Sequence, residues 1–202
     1  MTTRPGLNAT VIVSAAADLA DDKGLDQLTL ASLAANLGVR TPSLYNHIGG
    51  LPGLKKELAV HAVKELTAEF GQAAIGKSAD DAVRAILFAY RDMAKERPGL
   101  YDAAIRVNYT EDEKLQAATR DLIEVILKVL VPYNLDEDTE IHVIRAIRSI
   151  AHGFVSLEVA GLFKGRLLGR PLDPSESYRL LVEAFLRGFH SMRNISSEPG
   201  ID

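Results

Sequence analysis

Cysteine is absent from the 202 residues, which excludes disulfide frameworks, thiolate metal sites and cysteine nucleophiles and suits a reducing, cytoplasmic setting. Long apolar runs are absent too. A membrane helix needs about 18 or more uncharged apolar residues, and the greasiest stretch, Leu122 to Val131, is interrupted by Glu124 and Lys128; no membrane partner is expected. A basic excess is lacking: 23 Lys and Arg stand against 27 Asp and Glu, for a net charge of −4. This rules out a histone-like coat on nucleic acid but leaves room for a local basic patch. Strict apolar-polar alternation is found nowhere, so no strand is expected. His61, His142, His152 and His190 are scattered, with no His-Glu-x-x-His spacing and no glycine-rich phosphate loop after a strand. Neither a catalytic residue, a metal nor a cofactor is expected.

What is present is helical periodicity punctuated by Gly and Pro, in a chain whose 47% apolar content is ample for a continuous core. The first helix is expected over Asn8 to Lys23, with Val11, Ile12, Ala15, Ala16 and Leu19 on one face and Gly24 after it. Its apolar stretch imitates a signal-peptide core, but cleavage there would destroy the packing of the two short helices beyond it. Thr29 reads as the N-cap of a helix burying Leu30, Leu33, Ala34 and Leu37, and Gly38 supplies the left-handed residue of a sharp turn. Val39 plugs the corner. Thr41 then reads as an N-cap and Pro42 as the first position of a helix of roughly two turns, ending before Gly49 and Gly50. At about 100° per residue, Leu44 and Ile48 face inward, Pro42, Ser43 and Asn46 face outward, and Tyr45 and His47 sit on the flanks. Two short helices around such a turn present one helix to a DNA major groove. The expected DNA-contacting set is Thr29, Arg40, Thr41, Pro42, Ser43, Tyr45, Asn46, His47 and Lys55, with Lys56 adding charge.

Further helices are expected over Pro52 to Gln72, Asp80 to Arg97, Pro98 to Asn108, Glu111 to Leu130, Asp136 to Lys164 and Pro174 to Arg193. The basic, Gly-containing segment Arg166 to Pro171 reads as a mobile connector, with a phosphate grip as the alternative. The fold class expected is all-α: a three-helix DNA-binding domain over 1–50, a helical bundle over 51–195 and a frayed tail over 196–202.

The order of these elements, with Gly24, Leu28-Thr29-Leu30, Ala34, Leu37-Gly38-Val39, Ser43-Leu44-Tyr45 and His47 in place, resembles the TetR family of transcriptional regulators. Ile48 stands where that family has Phe, and Leu51 where it has a phosphate-binding Lys; Lys55 and Lys56 lie one turn further on. The segment AHGFVSLEVAGLF (Ala151 to Phe163) and the adjoining Pro171 to Phe189 resemble a C-terminal domain of one family branch named for a Trp-His-Gly signature, here with Ala151 for the tryptophan. The resemblance implies a homodimer through the last two long helices, double-stranded operator DNA as partner, and a small-molecule effector that releases it. Gly153, Ala160 and Gly161 permit close helix approach, and Leu181, Phe185 and Phe189, with Val155 and Leu162, supply apolar area; an ordinary intrachain helix pair explains them as well. Candidate effector contacts are Phe88, Tyr90, Arg91, Tyr101, Ile105 and Arg106, whose aromatics core packing explains equally. His152 is either packed and hydrogen-bonded or ligand-sensing. Arg145 and Arg148 read as a solvated or interface-paired stripe, with an anionic effector as the alternative. The function expected is a ligand-responsive repressor on a palindromic site; the alternative is a helical small-molecule-binding module without DNA regulation.

Overall fold

The computed structural model describes residues 6–106, 112–167 and 170–195. Its elements are α1 (Ala9–Lys23), a 3-10 turn at Leu25–Gln27, α2 (Leu30–Leu37), α3 (Thr41–Tyr45), α4 (Gly50–Ala74), α5 (Ala79–Glu96), α6 (Pro98–Arg106), α7 (Glu113–Leu130), a second 3-10 turn at Val131–Tyr133, α8 (Glu137–Val159), strands β1 (Arg166–Leu167) and β2 (Arg170–Pro171), and α9 (Pro174–Ile195). Among the described residues the fold is all-α apart from that two-stranded ladder.

Three expectations are corrected. Arg40, not Thr41, occupies the N-cap of α3, and the α-helix spans five residues instead of running to Ile48. Asn46 and His47 continue it as a turn, closed by the N–H groups of His47 and Ile48 on the Leu44 carbonyl at 3.0 and 3.1 Å, before Gly49 and Gly50. α8 stops at Val159 rather than Lys164, the chain turning back through Gly161, with Leu162 N–H donating to the Leu157 carbonyl at 3.0 Å. The connector beyond it is not free of strand: Arg166 pairs with Pro171 and Leu167 with Arg170, antiparallel. The tail from Ser196 lies outside the described residues, as do residues 107–111, on which the expected C-terminus of α6 fell.

The chain divides into two compact units, residues 1–68 with 92–123, and residues 69–91 with 124–202. In the first, Ile12, Ala16, Leu33, Leu44, Leu54 and Leu58 are fully buried, and Ala59, Val60 and Val63 of α4 pack with Leu115 and Ala118 of α7. α6 lies directly on α1. Gly99 makes that possible, since any Cβ there would collide with the backbone of Ala20 and Asp21. Asp21 fastens the approach: its carboxylate accepts from the N–H groups of Gly99 (2.9 Å) and Leu100 (3.0 Å) at the start of α6, and pairs with Arg97, which its hydrogen bond holds more firmly protonated. Three neighbouring donors on one carboxylate make this a charge-assisted helix cap.

The second unit is built on larger side chains. Tyr178 and Phe189 are fully buried; Tyr133 lies 4.5 Å from the Phe189 ring, and Phe88 meets Tyr178 edge-on at 5.5 Å. The Tyr178 hydroxyl donates to the Leu87 carbonyl at 2.7 Å, so the buried phenol is satisfied. Arg91 is the one charged residue in the core among the described residues. Its guanidinium forms a two-pronged pair with Glu158 at 2.7 and 2.6 Å.

Candidate nucleic-acid interface

α2, the turn and α3 are set by local chemistry. Asn8 caps α1 by accepting from Val11 N–H at 2.9 Å. Thr29 caps α2 through a reciprocal box: its hydroxyl accepts from Ser32 N–H at 3.0 Å, and Ser32 Oγ accepts from Thr29 N–H at 3.1 Å. At the other end Gly38 is left-handed at φ +67°, and Val39 N–H donates to the Ala34 carbonyl at 3.0 Å, the doubled closure that reverses a helix sharply. Buried Leu44 and Ile48 anchor α3 to the core. Burying a Leu side chain is worth about 2–3 kcal/mol, more than enough to hold an element too short to be stable alone.

Anchoring that face leaves the other in water. Arg40, Pro42, Asn46 and His47 are exposed, Tyr45 is 59% exposed, and Thr41 and Ser43 are half-buried. Lys55 and Lys56 are exposed on the first turns of α4, Lys56 with its ammonium 4.0 Å from Asp112. Donors, a planar amide and cations are thus gathered on one surface of the first unit. Thr29 differs from the rest of the expected set, because its hydroxyl is engaged in the capping box.

The effector candidates separate. Phe88, Tyr90, Arg91 and His152 fall in the second unit, Tyr101, Ile105 and Arg106 in the first. Tyr90 and His152 come together, hydroxyl to Nδ1 at 3.3 Å, so His152 is hydrogen-bonded as well as half-buried. Arg91 is paired with Glu158, and Arg106 with Asp26 and Asp102 at 2.7 Å each; both cations were expected to offer a polar head to a ligand and instead carry protein partners. Among the dimer candidates, Gly153 and Ala160 are exposed, Leu181 and Phe185 half-buried, and Gly161 turns the chain. Phe189 departs from expectation: at 1% exposure its ring belongs to the core of its own unit.

Sequence reasoning missed Asp21 and Glu158. Both are acids whose partners lie 76 or more and 67 residues away in the chain, beyond any local pattern. The available signal was Arg91 itself, a cation on a helix face otherwise apolar. Among the described residues no cluster of three or more His, Cys, Asp or Glu could hold a metal ion, and no helix is long and apolar enough to cross a membrane.

Residues 83–185 match the family model of the tetracyclin repressor-like C-terminal domain. The uncharacterized HTH-type transcriptional regulator YobS of Bacillus subtilis is 34% identical over 189 residues, covering 93% of this chain and 95% of that protein. The tetracycline repressor protein class D of Escherichia coli is 25% identical over 200 residues, covering 92% and 87%. In fold, a variant of TetR from Acinetobacter baumannii AYE in complex with minocycline superposes with a TM-score of 0.69 at 18% identity, covering 93% of this chain and 98% of that one. The chain belongs to the TetR family of transcriptional regulators.

Proposed function

We propose that this regulator is a repressor that binds a palindromic operator as a homodimer and is released by a small-molecule effector taken up in its second unit. The observation that carries the DNA-binding part is the α3 surface, where a helix anchored by Leu44 and Ile48 leaves Tyr45, Asn46 and His47 in water. Asn46 has the amide for a bidentate pair with adenine. Arg40, Thr41, Tyr45, His47 and Lys55 have the charge or donors for backbone phosphates, and Pro42 and Ser43 pack against the groove floor. Thr29 serves by fixing α2. Functionally, residues 1–50 are the reading head and 51–195 the effector and dimer region.

A dimer is required by what a short helix can do. One α3 buries too little surface for specific affinity, so two must be held at the spacing of successive major grooves. Support comes from α8 and α9, where Gly153, Ala160, Ala184 and Gly188 are exposed beside Leu157 (43% exposed) and Leu180 (54%); small residues allow close approach and the leucines supply area. The minocycline complex of the Acinetobacter relative supports an effector. The test is a gel shift on DNA upstream of the chain's own coding sequence, with sedimentation in parallel. Retarded DNA carrying two protomers is the expected result; a monomer at micromolar concentration, or binding without sequence preference, overturns the reading.

A further inference from the structure

In the second unit the end of α8, the turn that follows it and the start of α9 line an open cavity of about 390 Å3, within the range of about 300–1,000 Å3 typical of small-molecule sites. Phe154, Leu162, Phe163 and Leu172 form apolar walls, and Ser177 and Lys164 supply the polar atoms. Leu162 and Leu172 are 68% and 58% exposed, an apolar lining left in water. Lys164 forms no ion pair among the described residues, its stem lying across Gly161. Of the acids near it in the chain, Glu158 pairs with Arg91 and Glu176 with Arg179, while Asp173 accepts from the Ser175 N–H at 2.9 Å. The site therefore combines apolar walls with a lysine ammonium that makes no ion pair among the described residues.

The geometry points to a binding site for an amphipathic anion, an apolar body carrying one carboxylate or sulfonate, with the anion on Lys164 and the body between Phe154, Phe163 and the two leucines. A bare inorganic anion would leave those walls wet, and an amphipathic cation would meet Lys164 with like charge. The site is wired into the core. Phe154 lies 4.8 Å from Phe163 and 5.0 Å from Tyr178, and Tyr178 in turn carries the Arg91 guanidinium 5.5 Å from its ring centre. A ligand that shifts Phe154 therefore bears on the buried Arg91–Glu158 pair. This names the effector class and so rests on the effector reading above.

The test uses the full chain with Leu162→Trp, since the protein has no tryptophan of its own and position 162 is exposed enough to accept an indole. Decanoate should shift the indole emission to the blue and saturate, whereas decyltrimethylammonium should not. Lys164→Glu in the same background should weaken decanoate by at least about tenfold, the scale of one lost charge-assisted contact. No shift with decanoate, an equal shift with the cation, or an unchanged affinity in Lys164→Glu overturns the inference. Operator binding is followed separately by gel shift. Decanoate bound in the expected way to a chain that ignores DNA upholds the site and fails the regulator, whereas specific DNA binding with no response to decanoate fails the site alone.

Discussion

All six phenylalanines lie in the second compact unit and none in the first. The first unit packs alanine, valine and leucine, and its ion pairs sit at the surface: Arg97 and Arg106 are 37% and 49% exposed, and Lys114, which meets Glu57, is 68% exposed. The second packs rings, encloses a cavity and buries a guanidinium whose side chain is 6% exposed. Small side chains and backbone capping give close helix approach, which suits a surface that must present a five-residue helix in one orientation. The second unit's cavity opens beside its rings, where Phe154 and Phe163 meet the exposed Leu162 and Leu172, and its volume is of a size that admits ligands. The difference is one of tolerance: one unit depends on close backbone contact, the other on a few buried partners.

The largest effect should come from the second unit. Arg91→Ala leaves Glu158 buried without a partner and should cost about 3–5 kcal/mol, read by guanidinium unfolding. The double change Arg91→Met with Glu158→Leu should recover most of it; a single-variant cost under about 1 kcal/mol would mean that water replaces the pair. Next is the first unit's close approach. Gly99→Ala forces the backbones of α1 and α6 apart and should cost about 3 kcal/mol, with operator affinity falling alongside; a parental unfolding midpoint would contradict the packing described.

Asn46→Ala separates reading from folding. It should lower discrimination at one operator position by about 1–3 kcal/mol and leave the melting temperature unchanged, whereas Tyr45→Phe or Lys55→Ala should weaken all sequences alike and flatten the salt dependence. Retained operator preference in Asn46→Ala would move base readout to another residue. Thr29→Ala removes the α2 cap and should cost about 1 kcal/mol, visible in denaturation and, through α3, in DNA affinity.

The smallest effect is a pH dependence in the second unit. Burial pushes the Asp80 carboxyl up, but hydrogen bonds from Tyr133 (2.6 Å) and His190 (2.8 Å) and the charge of Arg84 outweigh it and leave the group below its ordinary value of 3.8. A lowered carboxyl contributes stability that is fully present above its ordinary value and lost as the pH falls through its folded one. The stability gap between the parent chain and Asp80→Asn should therefore be open at neutral pH and close on acidification. A gap that widened in acid would reverse the sign.

Local pattern made the helices and the helix-turn-helix legible. Thr29 as a cap, Gly38 as the left-handed turn, and Leu44 and Ile48 as inward residues are set by neighbours within four positions, where periodicity carries information, whereas Asn8, expected inside α1, proved to be its cap. The edges of α3 and α8 were less legible, because a Thr-Pro pair and a run ending in Ala-Gly each allow more than one terminus. The ladder at Arg166–Pro171 has strands of two residues, too short for alternation to register.

The sequence by itself determined an all-helical chain, the placement of its turns, and a helix-turn-helix surface around residues 29–48, since each rests on the stereochemistry of adjacent residues. Only the tertiary structure decided that Asp21 caps α6, that Arg91 is spent on Glu158, that Phe189 is core, and that Lys164 edges an apolar cavity. Those outcomes depend on which distant side chains arrive together, and a chain's one-dimensional order holds no local record of a contact such as Arg91–Glu158, made across 67 residues.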